Sequence, residues 1–173
     1  MHAVEIVLSS IAFVGLLLTW KDYNARWMFI ILGVFQIVES TSEPVTIQWT
    51  RHYYLWCVAL NALLLALILF RGVLADKLFT FTKVRFFSNA RSHYQLTIPE
   101  CAICVTVLAT TVLSLCAWAE IQLYYYDIMS YPFIYHHIWK PAQYSLHILE
   151  SLALITFITR TLRSHGAPHY EGN

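Results

Sequence analysis

Long apolar stretches separated by short polar connections dominate this sequence. A helix that crosses the hydrocarbon core of a bilayer needs roughly 17 to 25 largely apolar residues. The predicted spans are Val4–Trp20, Trp27–Ser42, Tyr53–Phe70, Cys101–Tyr124 and Ala142–Thr159. The pattern therefore predicts an all-α fold, a polytopic transmembrane helix bundle of about five spans, in which residues 1–173 form a single integral membrane domain.

The second of these spans is the weakest. Glu39 and Glu43 lie in its last turns, and Pro44 should end or kink the helix because proline lacks a backbone N–H. Four spans are the alternative if this segment does not cross. The tight polar link Lys21–Arg26 predicts an antiparallel hairpin of the first two helices, as short connections between helices usually form.

The connection between spans three and four, residues 71–100, is longer and basic. Apolar residues recur in it near helical spacing and alternate with cations: Leu74, Leu78, Phe81, Val84 and Phe87 with Lys77, Lys83, Arg85 and Arg91. This pattern predicts a basic amphipathic helix at the membrane interface. A connecting helix packed on its neighbours is the alternative. The four cations are predicted to bind anionic lipid or a cytosolic protein partner.

Lys and Arg residues are gathered on one side of the predicted topology. Nine of the eleven fall in segments that share a side if the N-terminus is outside: Lys21, Arg26, Arg71, Lys77, Lys83, Arg85, Arg91, Arg160 and Arg163. Arg51 and Lys140 fall on the other side. Because cytoplasmic segments are enriched in Lys and Arg, we expect a bacterial inner-membrane protein with an outside N-terminus and a polar cytoplasmic tail over residues 161–173.

Composition supports a lipid environment and excludes some functions. Hydrophobic residues make up 58% of the chain and charged residues 12%, whereas a soluble domain carries roughly 25% charged residues. A net charge of +1 gives no basic footprint for nucleic acid. The four cysteines lie in or beside apolar segments, so a disulfide framework is not expected.

The ionisable residues of the spans are predicted to collect in the outer half of the bundle. They are Glu39, Glu43, His52, Glu120, His147 and Glu150. One interpretation is that they form interhelical hydrogen bonds that fix the packing. Another is that they line a wet vestibule for protons or cations, with His147 as the pH-sensitive member.

The same residues give only weak support for a bound cofactor. His147 and Glu150 have the spacing seen in carboxylate metal sites of helix bundles, but no second such pair is present. Haem would need paired axial histidines, and only His147 is well inside a span. Cys101 and Cys104 form a C-x-x-C, but two small apolar residues at helical spacing explain it equally simply. No cofactor is predicted, and a metal ion or haem remains an alternative.

Motifs for nucleophilic catalysis and phosphate binding are absent from the sequence. We therefore expect a non-enzymatic protein, a channel-like or sensor-like interaction subunit of a homo-oligomer or membrane complex. The alternative is a membrane protein that binds a metal, haem or quinone through the outer cluster and carries out redox chemistry.

Overall fold

A computed structural model of the protein describes residues 2–166, with side chains described for residues 6–164. All regular structure within these residues is helical. The elements are α1 (His2–Leu18), α2 (Tyr23–Thr46), α3 (Tyr53–Leu69), α4 (Arg71–Thr82), α5 (Arg85–Ser92), α6 (Ile98–Tyr125), a π-helical turn (Ile134–Ile138) and α7 (Trp139–Gly166).

Three of the described helices are long and apolar enough to cross a membrane, namely α2, α6, and α7 with its preceding π-helical turn. A fourth span results if α3 and α4, which meet at a 76° bend, are counted together. Helix α1 is apolar but shorter. The all-α fold is confirmed for the described residues, with three or four helices long and apolar enough to span a membrane. The count of five spans stays a prediction.

Helix α2 continues past Pro44, the residue predicted to end or kink it. Pro44 lies in its last turn, and the helix ends at Thr46 rather than near Ser42. The missing N–H of a proline so close to the end removes little of the helical hydrogen bonding. At the other end, the Asp22 carboxylate accepts the Ala25 N–H at 2.8 Å and caps the helix.

The five longest helices pack side by side in a closed ring. Each contacts two neighbours, in the order α1, α2, α3, α6, α7 and back to α1. Tyr54, Ala117 and Trp139 meet at one end of this ring, which we call the Trp139 end. Arg71 and Glu100 meet at the opposite end, which we call the Arg71 end.

An apolar layer fills the ring toward the Arg71 end. Its side chains are at most 2% exposed: Met28, Phe29, Ile68, Ile103 and Phe157. A Cβ atom on Gly15 would lie 2.5 Å from the Phe29 ring and 3.0 Å from Ile158. Glycine at this position therefore allows α1 to approach α2 and α7 closely.

The predicted single amphipathic helix over residues 71–100 is two short helices, α4 and α5, joined at Lys83. Lys83 has a left-handed backbone with φ of 57°, which reverses the chain. The predicted apolar face is also divided. Leu74, Leu78 and Phe87 pack against the protein, whereas Phe81 is 86% exposed. The packing of Leu74, Leu78 and Phe87 agrees with the alternative of a connecting helix packed on its neighbours, and the interfacial helix stays a prediction.

The C-terminal part of the predicted tail lies outside the described residues. Helix α7 continues to Gly166, so residues 161–166 belong to a helix. Residues 167–173 are not described.

Candidate functional site

A polar cavity of about 110 Å³ lies inside the ring, and we call it the chamber. All five helices of the ring contribute to its wall. The polar groups of the wall are Gln36, Glu39, Tyr53, Cys57, Asn61, Thr110, Ser114, Gln143, His147 and Glu150. A buried water needs roughly 10–15 Å³ of such space and several polar partners, so the chamber has room for several waters or a small polar ligand.

Helical spacing places these groups on one face of each helix. On α3, Cys57 and Asn61 are four residues apart, and on α6 Thr110 and Ser114 are four apart. The hydroxyls of Thr110 and Ser114 donate to backbone carbonyls one turn earlier, at 2.9 and 2.8 Å. Their oxygen lone pairs remain available as acceptors. The wall therefore offers both neutral and ionisable polar groups.

The ionisable part of the chamber is an imidazole beside carboxylates. His147 Nδ1 lies 3.5 Å from Glu150 Oε2, and both side chains are mostly buried. Across the chamber, the Gln36 amide donates to Glu39 Oε2 at 3.4 Å. Both distances exceed the usual 2.7–3.2 Å of a direct hydrogen bond. The His147–Glu150 contact is an ion pair only when the imidazole is protonated.

A smaller cavity of about 40 Å³, the antechamber, adjoins the chamber. The two share Gln36, Glu39, Tyr53 and Cys57 in their walls. The antechamber adds Ser42, Glu43 and Thr46 near the end of α2, and Trp56 in the first turn of α3. Polar side chains therefore continue from the chamber toward the Trp139 end of the ring.

The apolar layer separates the chamber from the Arg71 end. On α3, Ile68 lies seven residues beyond Asn61, and on α7 Phe157 lies seven beyond Glu150. At 1.5 Å per residue, each separation is about 10 Å along the helix axis. The chamber thus has a polar side and an apolar floor.

A second polar centre, the Arg71 network, lies below this floor. Arg71 Nη1 and Glu100 Oε1 are 2.5 Å apart, and both side chains are fully buried. The other guanidinium nitrogen, Nη2, donates to Asn24 Oδ1 at 2.9 Å and to the Gln95 carbonyl at 3.0 Å. The remaining carboxylate oxygen of Glu100 accepts the Thr97 N–H at 2.6 Å. Charges buried in this way are tolerated because they are paired and hydrogen-bonded.

This network ties the bend between α3 and α4 to the start of α6. The Trp27 indole donates to the Arg71 carbonyl at 3.0 Å, and the Tyr94 hydroxyl donates to the Leu69 carbonyl at 3.0 Å. The Tyr94 ring also lies 4.9 Å from the Arg71 guanidinium carbon. A Cβ atom on Gly72 would approach the same ring to 3.1 Å. The bonds join four helices, α2, α3, α4 and α6, so the network acts as a structural clamp.

The six residues of the predicted outer cluster lie in four different places. Glu39, His147 and Glu150 line the chamber, and Glu43 lines the antechamber. His52 is exposed at the start of α3 and lines neither cavity.

Glu120 caps the segment that leads into α7. Its two carboxylate oxygens accept the N–H groups of Ile134 and Tyr135, both at 2.9 Å. Its side chain is buried and lies outside the walls of the chamber and the antechamber. In the described structure Glu120 thus fixes the start of the π-helical turn before α7.

Sequence reasoning missed the neutral members of the site. Asn61, Gln143, Thr110 and Ser114 were passed over because only ionisable residues were placed by depth. The available signal was their spacing: Gln143, His147 and Glu150 follow one face of α7 at i, i+4 and i+7. The Arg71 network was missed because Arg71 was counted as a residue of a connection.

The same groups do not form a metal site. Among the described side chains, no group of three or more His, Cys, Asp or Glu residues lies close enough to hold a metal ion. His147 and Glu150 supply two ligands, fewer than the three or four protein ligands of a zinc site. Cys101 faces outward and Cys104 is half-buried.

Comparison with protein-family models, curated proteins and solved structures finds no match to this chain.

Proposed function

We propose that this chain is a five-span inner-membrane protein with its N-terminus outside. Its function would be that of a sensor-like subunit that takes up protons or small cations from the outer side. The orientation is supported by charge, because nine of the eleven Lys and Arg residues belong to connections or helix ends at the Arg71 end. The Trp139 end, where the antechamber lies, would then face outward.

The observation that carries this proposal is a polar chamber with an apolar floor. An ion that enters from the Trp139 end meets Glu43, Glu39 and then Glu150, whose carboxylates favour cations. Going further would move it through about 10 Å of apolar side chains, where a charge is strongly disfavoured. This arrangement supports binding and response over conduction through a single chain.

His147 is the group best suited to convert binding into a response. An imidazole changes charge between about pH 5 and 8, which other unperturbed side chains do not. Protonated His147 would form an ion pair with Glu150 one helical turn away. Neutral His147 would not compensate the negative charge of Glu150. Gln143, His147 and Glu150 share the face of α7 that lines the chamber. A change in the charge of His147 would therefore alter the contacts of α7 with α6 and with α1.

Tryptophan fluorescence provides the test, because Trp139 lines the chamber and Trp56 lines the antechamber. The purified full-length protein in lipid nanodiscs is titrated from pH 8 to pH 5. We expect a reversible fluorescence transition that is lost in His147→Gln. The matched control is His52→Gln, an identical change outside the chamber, which should leave the transition unchanged. An unaltered transition in His147→Gln, or an equal loss in His52→Gln, would refute the proposal.

Flux measurements distinguish the sensor from the channel-like alternative. Proteoliposomes that contain a pH-sensitive dye report proton entry after a pH jump. The apolar floor predicts a rate equal to that of empty liposomes. A protein-dependent flux that falls in Glu39→Gln and Glu150→Gln would instead favour a channel-like function, with conduction through an opened floor or between associated copies.

A further inference from the structure

Helix α4 has an exposed side, partly apolar and partly polar, that no described part of the protein covers. Exposed residues follow each other on one side of the helix and its entry: Phe70, Val73, Lys77, Thr80 and Phe81. At 100° per residue these positions occupy an arc of about 100°. The opposite side carries Arg71, Ala75 and Leu78, which pack inward. We call the exposed arc the outward face of α4.

The bend after α3 determines how this face is oriented. Helix α4 leaves α3 at 76°. If α3 crosses the bilayer, as in the proposed five-span topology on which this step rests, α4 lies nearly parallel to the membrane plane at the Arg71 end. Leu69 and Phe70, both exposed at the end of α3, make the outward face continuous with the lipid-facing surface of that helix.

The charges around this face are cationic and uncompensated. Lys77, Lys83 and Arg85 are exposed and form no ion pair with described side chains. Asp76 is the single acidic residue between Arg71 and Thr97, and it pairs with Arg91 inside the α4–α5 hairpin. The apolar face is therefore accompanied by three free positive charges, which complement an anionic surface.

We propose that the outward face of α4 binds anionic phospholipid in the adjacent leaflet. Phe70, Val73 and Phe81 enter the boundary between headgroups and acyl chains, and Lys77, Lys83 and Arg85 contact phosphate groups. Buried apolar area and electrostatic attraction to anionic lipid are the two contributions that hold a helix at a membrane surface, and the exposed Phe, Val, Lys and Arg side chains of this segment supply both. Arg91 takes no part because its partner is Asp76.

Lipid titration of the purified full-length protein tests the headgroup requirement. Thermal unfolding in neutral detergent is followed while phosphatidylglycerol or phosphatidylcholine is added. Each basic residue near an anionic surface contributes about fivefold in affinity, or about 1 kcal/mol. The triple variant Lys77→Gln, Lys83→Gln and Arg85→Gln should lower the apparent affinity for phosphatidylglycerol on the order of 100-fold. Lys140→Gln, at the Trp139 end, is the control and should change it little.

The outcomes separate this proposal from the proposed function. If the triple variant keeps the parent's affinity for phosphatidylglycerol while the pH-dependent fluorescence is intact, the lipid proposal is wrong and the chamber proposal stands. In nanodiscs that contain brominated lipid, the fluorescence of the tryptophan added by Phe81→Trp should be strongly quenched. Unquenched tryptophan at this position, or a chemically cross-linked dimer that is lost in Phe81→Ser, would show that lipid does not cover the face.

Discussion

Replacing Glu100 with glutamine removes one charge from the Arg71 network and almost no volume. Glutamine keeps an oxygen that can accept the Thr97 N–H, so the cap on α6 survives. Arg71 keeps Asn24 and Gln95 as acceptors but loses the carboxylate that neutralises it. The variant therefore isolates the effect of an uncompensated buried charge.

The expected cost of Glu100→Gln follows from the contacts that remain. Breaking a buried ion pair by removing one partner costs roughly 3–5 kcal/mol. We expect the lower part of this range, about 3 kcal/mol, because two oxygens still accept from the guanidinium. Arg71→Met should cost about 5 kcal/mol, since it also removes those hydrogen bonds and leaves the carboxylate buried with one donor.

Equilibrium unfolding in mixed micelles, followed by the helical circular dichroism signal, measures both variants. Because Glu100→Gln and Arg71→Met remove the same pair, the double variant should cost about 2 kcal/mol less than their sum. Asp76→Asn breaks an exposed ion pair, with side chains 43% and 62% exposed, and should change the free energy of unfolding by less than about 1 kcal/mol. A loss below 1 kcal/mol in Glu100→Gln, or strict additivity in the double variant, would refute the reasoning.

Two further predictions concern the packing of the ring and the entry to α7. Gly15→Val should destabilise the protein by about 1–3 kcal/mol because the added atoms overlap the buried Phe29 ring. Adding Phe29→Leu should recover part of this loss of stability in the same unfolding assay. Glu120→Ala leaves the N–H groups of Ile134 and Tyr135 without their acceptor. We therefore expect the free energy of unfolding to fall by about 1–3 kcal/mol and proteolysis between α6 and α7 to become faster. Unchanged proteolysis would show that the cap is dispensable.

The helices were predictable because apolar length is a local property of the chain. Residues 53–70 were predicted as one span, and α3 covers Tyr53–Leu69. Chain reversal within the basic connection was not predictable in the same way, since hydrophobic spacing carries no signal for the left-handed backbone of Lys83. The division of that segment into α4 and α5 changed which residues face outward, with Leu78 inside and Phe81 outside.

Part of the chamber was predictable for a related reason. Carboxylates and histidine are rare within apolar helices, so Glu39, His147 and Glu150 stood out as a group. Asn61 and Gln143 did not stand out, because neutral polar residues have little effect on a topology prediction. Their place in the chamber wall is evident only from the packing of the five helices.

Other polar residues could not be assigned because their partners are distant in sequence. Glu120 was grouped with the chamber residues, but its acceptor role depends on the path of the chain after α6. Arg71 and Glu100 are 29 positions apart, and their contact depends on the bend at the start of α4. Such pairings follow from tertiary structure and not from a local pattern.

Cysteine labelling tests the central claim most directly, that the chamber opens to the outer side and ends at an apolar floor. Asn61→Cys, in the chamber wall, and Ile68→Cys, in the floor, are each placed on a background in which the four native cysteines are alanine. A small cationic, membrane-impermeant thiol reagent is applied from either side of sealed vesicles. The account predicts that Asn61→Cys reacts from the outside only and Ile68→Cys from neither side. Reaction of Asn61→Cys from the cytoplasmic side, or of Ile68→Cys from either side, would contradict it.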